Sequence, residues 1–233
     1  NLCQHGADHE PVKRQDDGFI AVPYSVEYRE FLEPAAALLG EAAAITSNES
    51  LRNFLTLRAQ AFATDDYFAS EMAWMELSGT PIEVAIGPYE VYTDRLYGVK
   101  TAFESFVTLR NPQASAALEN YVAHLRAMEA NLPIPPEHHN FARGFASPIS
   151  VADQVQGGGD NVHGVQTIAF NLPNDERVRE ARGAKKVILA NVLGAKFDLI
   201  LDPIALVVMA PDQAALVSRR QMELQTLFHE LSH

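Results

Sequence analysis

The chain has 233 residues, 47% of them apolar and 21% charged, which is the composition of a folded globular protein. Eighteen Lys plus Arg stand against 30 Asp plus Glu, and the resulting net charge of −12 excludes general nucleic-acid binding and docking on anionic membranes. The longest uninterrupted apolar run, Ile204 to Ala210, is far too short to span a bilayer, and the single Cys3 excludes a disulfide framework and a multi-cysteine zinc site.

In chain order, residues 1–22 read as polar and irregular, with a turn at Asp16-Asp17-Gly18. Residues 23–80 read as a helical layer. Its first helix is Phe31 to Ile45, with Pro34 expected in the first turn. A second is capped by Asn48 or Ser47 and carries Leu51, Phe54, Leu55 and Phe62 at helical spacing. Asp65-Asp66 opens a third, with Phe68, Met72 and Met75; Trp74 beside them reads as core.

Residues 81–175 read as a strand-containing lobe with an inserted helix. Ile82, Val84 and Ile86 alternate with Glu83 and Ala85, Gly87-Pro88 is expected to interrupt the strand before Tyr89 and Val91 continue the alternation, and a second strand spans Ala102 to Leu109. Leu118, Tyr121, Val122, Leu125 and Met128 have helical spacing, ended by Leu132-Pro133-Ile134-Pro135-Pro136. Residues 137–164 read as loop. The Gly157-Gly158-Gly159-Asp160 run lacks the Gly-Lys-Ser/Thr of a phosphate loop. Strands follow at Val165–Phe170 and Val187–Ala190, and residues 176–233 end in a helix from about Pro211. Arg177, Arg179, Arg182, Lys185 and Lys186, interleaved with Glu176 and Glu180, read as a solvated helix face. Segregated helices and strands predict an α+β fold.

The last five residues, His229-Glu230-Leu231-Ser232-His233, form an HExxH pattern. Two histidines four apart share one helix face and can both reach one Zn²⁺, while the glutamate between them serves as general base and acid. Leu224, Leu227, Phe228 and Leu231 form an apolar stripe on the opposite face, which anchors such a helix. A catalytic zinc needs a third protein ligand. Glu223, His163 and Asp160 are candidates within the chain, none at a diagnostic spacing. The simplest expectation places the ligand beyond His233, since the chain opens at Asn1 and stops within a helix, as a fragment would. His5 and His9, also four apart, read as a frayed terminus.

Several blocks together resemble the dipeptidyl peptidase III family of zinc metallopeptidases. They are Ile86-Gly87-Pro88-Tyr89-Glu90-Val91-Tyr92-Thr93-Asp94 with Gly98, then Phe103-Glu104-Ser105-Phe106-Val107, the proline-rich stop at 132–136, Asn171-Leu172-Pro173-Asn174-Asp175, Lys186-Val187-Ile188-Leu189-Ala190-Asn191-Val192, and the zinc motif. They occur in family order over residues 80–233. The resemblance implies a two-lobed enzyme, with a helical lobe carrying the zinc helix and a small β-barrel lobe, that removes dipeptides from the N-terminus of short peptides. It assigns Zn²⁺ to His229 and His233, acid–base catalysis to Glu230, the oxyanion contact to Tyr92, the substrate α-ammonium to Glu90, and the peptide backbone to Asn171 and Asn174. Many members carry the longer His-Glu-x-x-x-Gly-His motif; the five-residue form here resembles bacterial-type relatives. The family's third ligand, a glutamate on a later helix, falls outside this chain. A zinc endopeptidase or aminopeptidase of another HExxH type, or a non-catalytic peptide-binding module, are the alternatives. A single thiol fits a reducing, cytoplasmic compartment, whereas a removed leader would make the protein secreted or periplasmic. Oligomeric state is not encoded in any of these patterns.

Overall fold

The computed structural model describes residues 11–139, 141, 149–163 and 166–232; Cys3, His5, His9 and His233 lie outside them. The elements run β1 (Val12–Gln15), β2 (Gly18–Ala21), α1 (Tyr24–Glu27), α2 (Arg29–Ile45), α3 (Glu49–Thr64), α4 (Phe68–Met75), β3 (Ile82–Glu90), β4 (Ala102–Arg110), α5 (Pro112–Val122), α6 (Leu125–Ala130), β5 (Ile149–Gly159), β6 (Ala169–Leu172), α7 (Glu176–Arg182), β7 (Lys185–Leu189), α8 (Ala190–Lys196), α9 (Asp202–Val208), α10 (Pro211–Ala214) and α11 (Arg219–Ser232). A π-helical turn, Phe197–Leu201, joins α8 to α9. The α+β expectation holds: a curled five-stranded sheet of order β3-β4-β5-β7-β6 carries the helices, and β1-β2 form a separate hairpin.

Local chemistry explains most boundaries. The Asn48 side chain accepts from the backbone N–H of Leu51 at 2.8 Å and caps α3, as the spacing predicts. Leu51, Phe54, Leu55 and Phe62 are buried along one face of that helix. Helix α2 starts at Arg29, two residues before Phe31, so Pro34 lies in its second turn rather than its first. The polar start is not irregular: Asp16 (φ 49°) and Asp17 close a two-residue hairpin between β1 and β2.

Strand β7 organises the core. All five of its residues are buried, which places packed layers on both faces of the sheet. Val187 and Leu189 join a large cluster with Phe54, Phe62, Trp74, Phe106 and Phe170. Ile188, between them, belongs to a second cluster with Leu125, Leu193, Leu227 and Leu231. The period-two alternation therefore seats α3 and α4 on one side and α11 on the other. Lys185 and Lys186 fall within this strand and are buried, so they are not part of a solvated helix face. Lys185 follows the inward alternation and meets Glu83 at 3.2 Å, with its ammonium 4.6 Å from the Trp74 ring centroid.

Two further corrections bear on the site. The Gly157–Gly159 run is not loop but the end of an eleven-residue strand, paired residue for residue with Phe106, Ser105 and Glu104. The terminal helix is broken, with α10 and α11 separated by residues 215–218. The apolar run from Ile204 is largely helix α9, and Leu206, Val207 and Val208 are exposed on it.

Candidate active site

Strand β3 does not stop at Gly87-Pro88. It continues to Glu90, with a register shift between Pro88 and Glu90. Up to that point Ile82 faces Leu109 and Pro88 faces Phe103; past it, Glu90 faces Ala102. Without the extra residue Glu90 would sit opposite Thr101 and project from the other face. The bulge turns it onto the face shared by Glu104 and Phe106. Glu104 is 7% exposed. Its partner on β5, Gly159, has φ +71°, and a Cβ there would lie 2.1 Å from the Phe103 carbonyl oxygen, so only glycine fits opposite Glu104.

The Asn171–Asp175 loop after β6 brings its second asparagine to the same place. Asn174 Nδ2 donates to the Tyr89 carbonyl at 2.9 Å, which sets the amide beside Glu90. The loop contains a cis Leu172-Pro173 bond, and both of those residues are buried. Asn171 Oδ1 is buried without a hydrogen-bond partner among the described residues. Tyr92 lies outside the strand, 84% exposed, in the loop that joins β3 to β4. Asp94 folds that loop: its carboxylate accepts from the backbone N–H groups of Leu96, Val99 and Lys100 at 3.0, 2.9 and 3.0 Å. The Lys100, Val99 and Leu96 bonds hold its carboxyl well below the usual carboxylate range.

Helix α11 supplies the remaining groups. Leu227 and Leu231 are buried as the stripe predicts, and Phe228 packs edge-on against Tyr121 at 5.7 Å. His229 is on the exposed side of the helix. Glu230 is only 7% exposed, because it lies on the flank of α11 turned toward the sheet. Burial raises its pKa, opposed by His229 and by the Lys186 ammonium.

These acids form one electrostatic unit. Burial lifts the Glu90 carboxyl, the Asn174 hydrogen bond opposes the rise, and the Glu230 charge adds to it. Glu104 is pushed up to about 7 by burial and by the charges of Glu90 and Asp160. The Tyr92 phenol is raised by Glu90, then by burial, Glu230 and Glu104, which keeps its hydroxyl a hydrogen-bond donor at neutral pH. Neither Glu90 nor Glu104 has an ion-pair partner among the described residues. A cleft of about 630 Å³ opens beside Glu104, Asp160 and His163, walled by Tyr28, Phe31 and Phe103.

Residues far apart in sequence thus influence one another: Glu90, Tyr92, Glu104 and Glu230 through their charges, and Asn174 through the Tyr89 carbonyl next to Glu90. Glu104 is the member that motif reading did not single out. Its signal is an acid on the core-facing alternation of β4, in phase with buried Phe106 and Thr108. Among the described residues no three His, Cys, Asp or Glu side chains group to hold a metal. Glu223 is engaged on its own helix by Arg219 and Arg220, and Asp160 and His163 line the cleft beside Glu104. The donor chemistry nonetheless fits zinc: α11 is helical through Ser232, with an exposed imidazole next to an inward glutamate.

The curled sheet, with the loop after β6, carries Glu90, Glu104 and Asn174, and helix α11 carries the His229-Glu230 pair. Residues 8–233 match the model of peptidase family M49, and the chain belongs to that family. It is similar to the solved dipeptidyl peptidase III of Caldithrix abyssi, at 51% identity and a TM-score of 0.88, over 97% of this chain and 43% of that one. The enzyme from Corallococcus sp. strain EGB is 44% identical with a TM-score of 0.86, over 97% of this chain and 42% of that one. Among curated relatives, Nudix hydrolase 3 of Arabidopsis thaliana is 38% identical over 91% of this chain, and human dipeptidyl peptidase 3 is 27% identical over 77% of it. The chain spans about a quarter of the length of those two proteins, 27% and 24%. Among the described residues no helix is long and apolar enough to cross a membrane.

Proposed function

We infer that this chain is the substrate-binding and acid–base part of a zinc-dependent exopeptidase that releases dipeptides from the N-terminus of short peptides. The observation that supports the reading is that Glu90 feels the charge of Glu230, Glu104 feels that of Glu90, and Asn174 is bonded to the Tyr89 carbonyl next to Glu90. Two carboxyl groups without ion-pair partners among the described residues suit a peptide's α-ammonium group, whose charge favours their ionised form, and tethering that end sets which peptide bond reaches Glu230. His229 and His233 would hold zinc together with a ligand from outside this chain. Zinc held there would supply Lewis-acid chemistry for the scissile carbonyl and the attacking water.

The chain's own residues then divide the work. Glu230, raised by burial toward the range useful for proton transfer, takes the proton of the attacking water and returns it to the leaving amine. The Tyr92 hydroxyl donates to the developing oxyanion. Asn171, with its unused Oδ1, accepts from a backbone N–H of the peptide. Asn174 holds Glu90 in place as the ammonium docks.

The test follows dipeptide release by the zinc-loaded protein from short peptides with free and N-acetylated amino termini. Release from the free peptides alone is expected. Equal cleavage of both refutes the exopeptidase reading and favours a zinc endopeptidase.

A further inference from the structure

We propose that Arg58, in the middle of α3, is a positioning residue for Glu90. It acts through its contacts with Gly87, which leads into the bulge, and Tyr89, which forms it. The proposal rests on the function inferred above.

The Arg58 side chain has no solvent exposure. Its Nη2 donates to Glu71 Oε1 at 2.6 Å, and the pair is fully enclosed. The guanidinium carbon lies 5.5, 5.2 and 5.7 Å from the ring centroids of Phe54, Tyr67 and Tyr89. It also lies against the backbone of Gly87: a Cβ at that position would be 2.5 Å from Nη1. The tip of an exposed arginine would swing away from such a Cβ. This one is held by Glu71 and boxed by three rings, so it has nowhere to go.

Gly87 and Tyr89 are the residues whose placement decides where Glu90 points. The register shift falls between Pro88 and Glu90, and Tyr89 is the extra residue. Its ring rests on Arg58, while its carbonyl accepts from Asn174. The bulge is therefore held at the Tyr89 ring by a cation and at the Tyr89 carbonyl by an amide. Stability does not account for the pair. Arg58 Nε and Nη1 and Glu71 Oε2 have no hydrogen-bond partner among the described residues. A buried ion pair with orphaned atoms is commonly replaced by apolar residues without loss. Contact with the segment that aims Glu90 gives the pair a role. The planar guanidinium fills the slot between the rings and Gly87, which a lysine ammonium does not reproduce.

The experiment measures, by calorimetry in EDTA so that no hydrolysis occurs, the affinity of the 233-residue chain for tetra-alanine and for N-acetyl-tetra-alanine. The unmodified chain should prefer the free amine by about tenfold or more, the value of charge-assisted hydrogen bonds to an ammonium. In R58M/E71M, which leaves no orphaned charge, and in G87A, the preference should drop to about threefold or less, with folding verified by far-UV circular dichroism. If the double variant does not fold, R58K and G87A decide the matter, with the same loss expected. A merely structural role weakens both peptides equally and leaves the ratio intact, and that result overturns the proposal. If the unmodified chain shows no preference, the ammonium reading of Glu90 fails as well. Full discrimination in parent and variants alike refutes only the part played by Arg58.

Discussion

Glu104→Gln offers a direct test of the electrostatics that define the site. In the folded chain the Glu104 pKa is raised from the ordinary 4.5 to about 7, by burial first and then by Glu90 and Asp160. A carboxyl with a raised folded pKa holds a proton that the unfolded chain has released, so stability falls as pH rises from about 4.5 through 7. A rise from 4.5 to about 7 corresponds to about 3 kcal/mol, at about 1.4 kcal/mol for each tenfold change in proton affinity. Solvent screening at the open end of the cleft reduces this to about 2 kcal/mol. Glutamine keeps the size and removes the charge. The variant should match the parent near pH 4, and above pH 7 it should be more stable by about 2 kcal/mol. Urea unfolding in the presence of chelator, followed through the single buried Trp74, reads the difference directly. Because other acids titrate in both proteins, only the difference matters. A gap that does not change between pH 4.5 and 8 refutes the assignment of Glu104 as a carboxyl destabilised by its neighbours. Glu90→Gln should lower the Glu104 pKa, measurable by NMR titration.

Further outcomes follow from the same geometry. Glu230→Gln should reduce dipeptide release by about 10²–10⁴-fold while leaving peptide affinity in EDTA unchanged; retained turnover would remove Glu230 from the acid–base role. Tyr92→Phe should lower kcat by about 10²–10³-fold with little change in KM, and an effect on KM alone would make Tyr92 a binding residue instead. Asp94→Ala removes the acceptor of three backbone N–H groups, so the loop carrying Tyr92 should become a preferred site of limited proteolysis. The hold that Asp94 exerts is present above its usual pKa and is lost as pH falls below that range, so strongly acidic buffer should expose the same loop in the unmodified chain. Asn48→Ala should cost about 1 kcal/mol in urea unfolding by deleting the cap of α3; an unchanged midpoint would assign the capping to other groups.

The sequence by itself was enough for whatever depends on local periodicity. The α3 core face follows from the 3.6-residue repeat of Leu51, Phe54, Leu55 and Phe62, and its start follows from the carboxamide of Asn48, which competes for a backbone N–H only at a helix end. The anchoring stripe of α11 and the relation of His229 to Glu230 are likewise local, and the ordered motif blocks led to the family. Tertiary structure decided what depends on pairing between distant segments. Gly87-Pro88 reads as a break because proline cannot donate to a ladder, yet β3 runs through it as an edge strand of the sheet and bulges. That one-residue shift turns Glu90 to the face of Glu104. The Gly157–Gly159 run reads as loop until β4 lies beside it and the absence of Cβ atoms becomes the reason the two strands can meet. Lys185 and Lys186 resemble surface cations in a charged stretch. Whether such a side chain is solvated or buried depends on what the fold lays against the strand: Glu83, about a hundred residues away, for Lys185, and the layer of α11 that packs on Ile188 for Lys186. Those distances are short only after the chain has folded, which is why the acid cluster, its charges and the arginine beneath it emerge from the structure and not from the order of the residues.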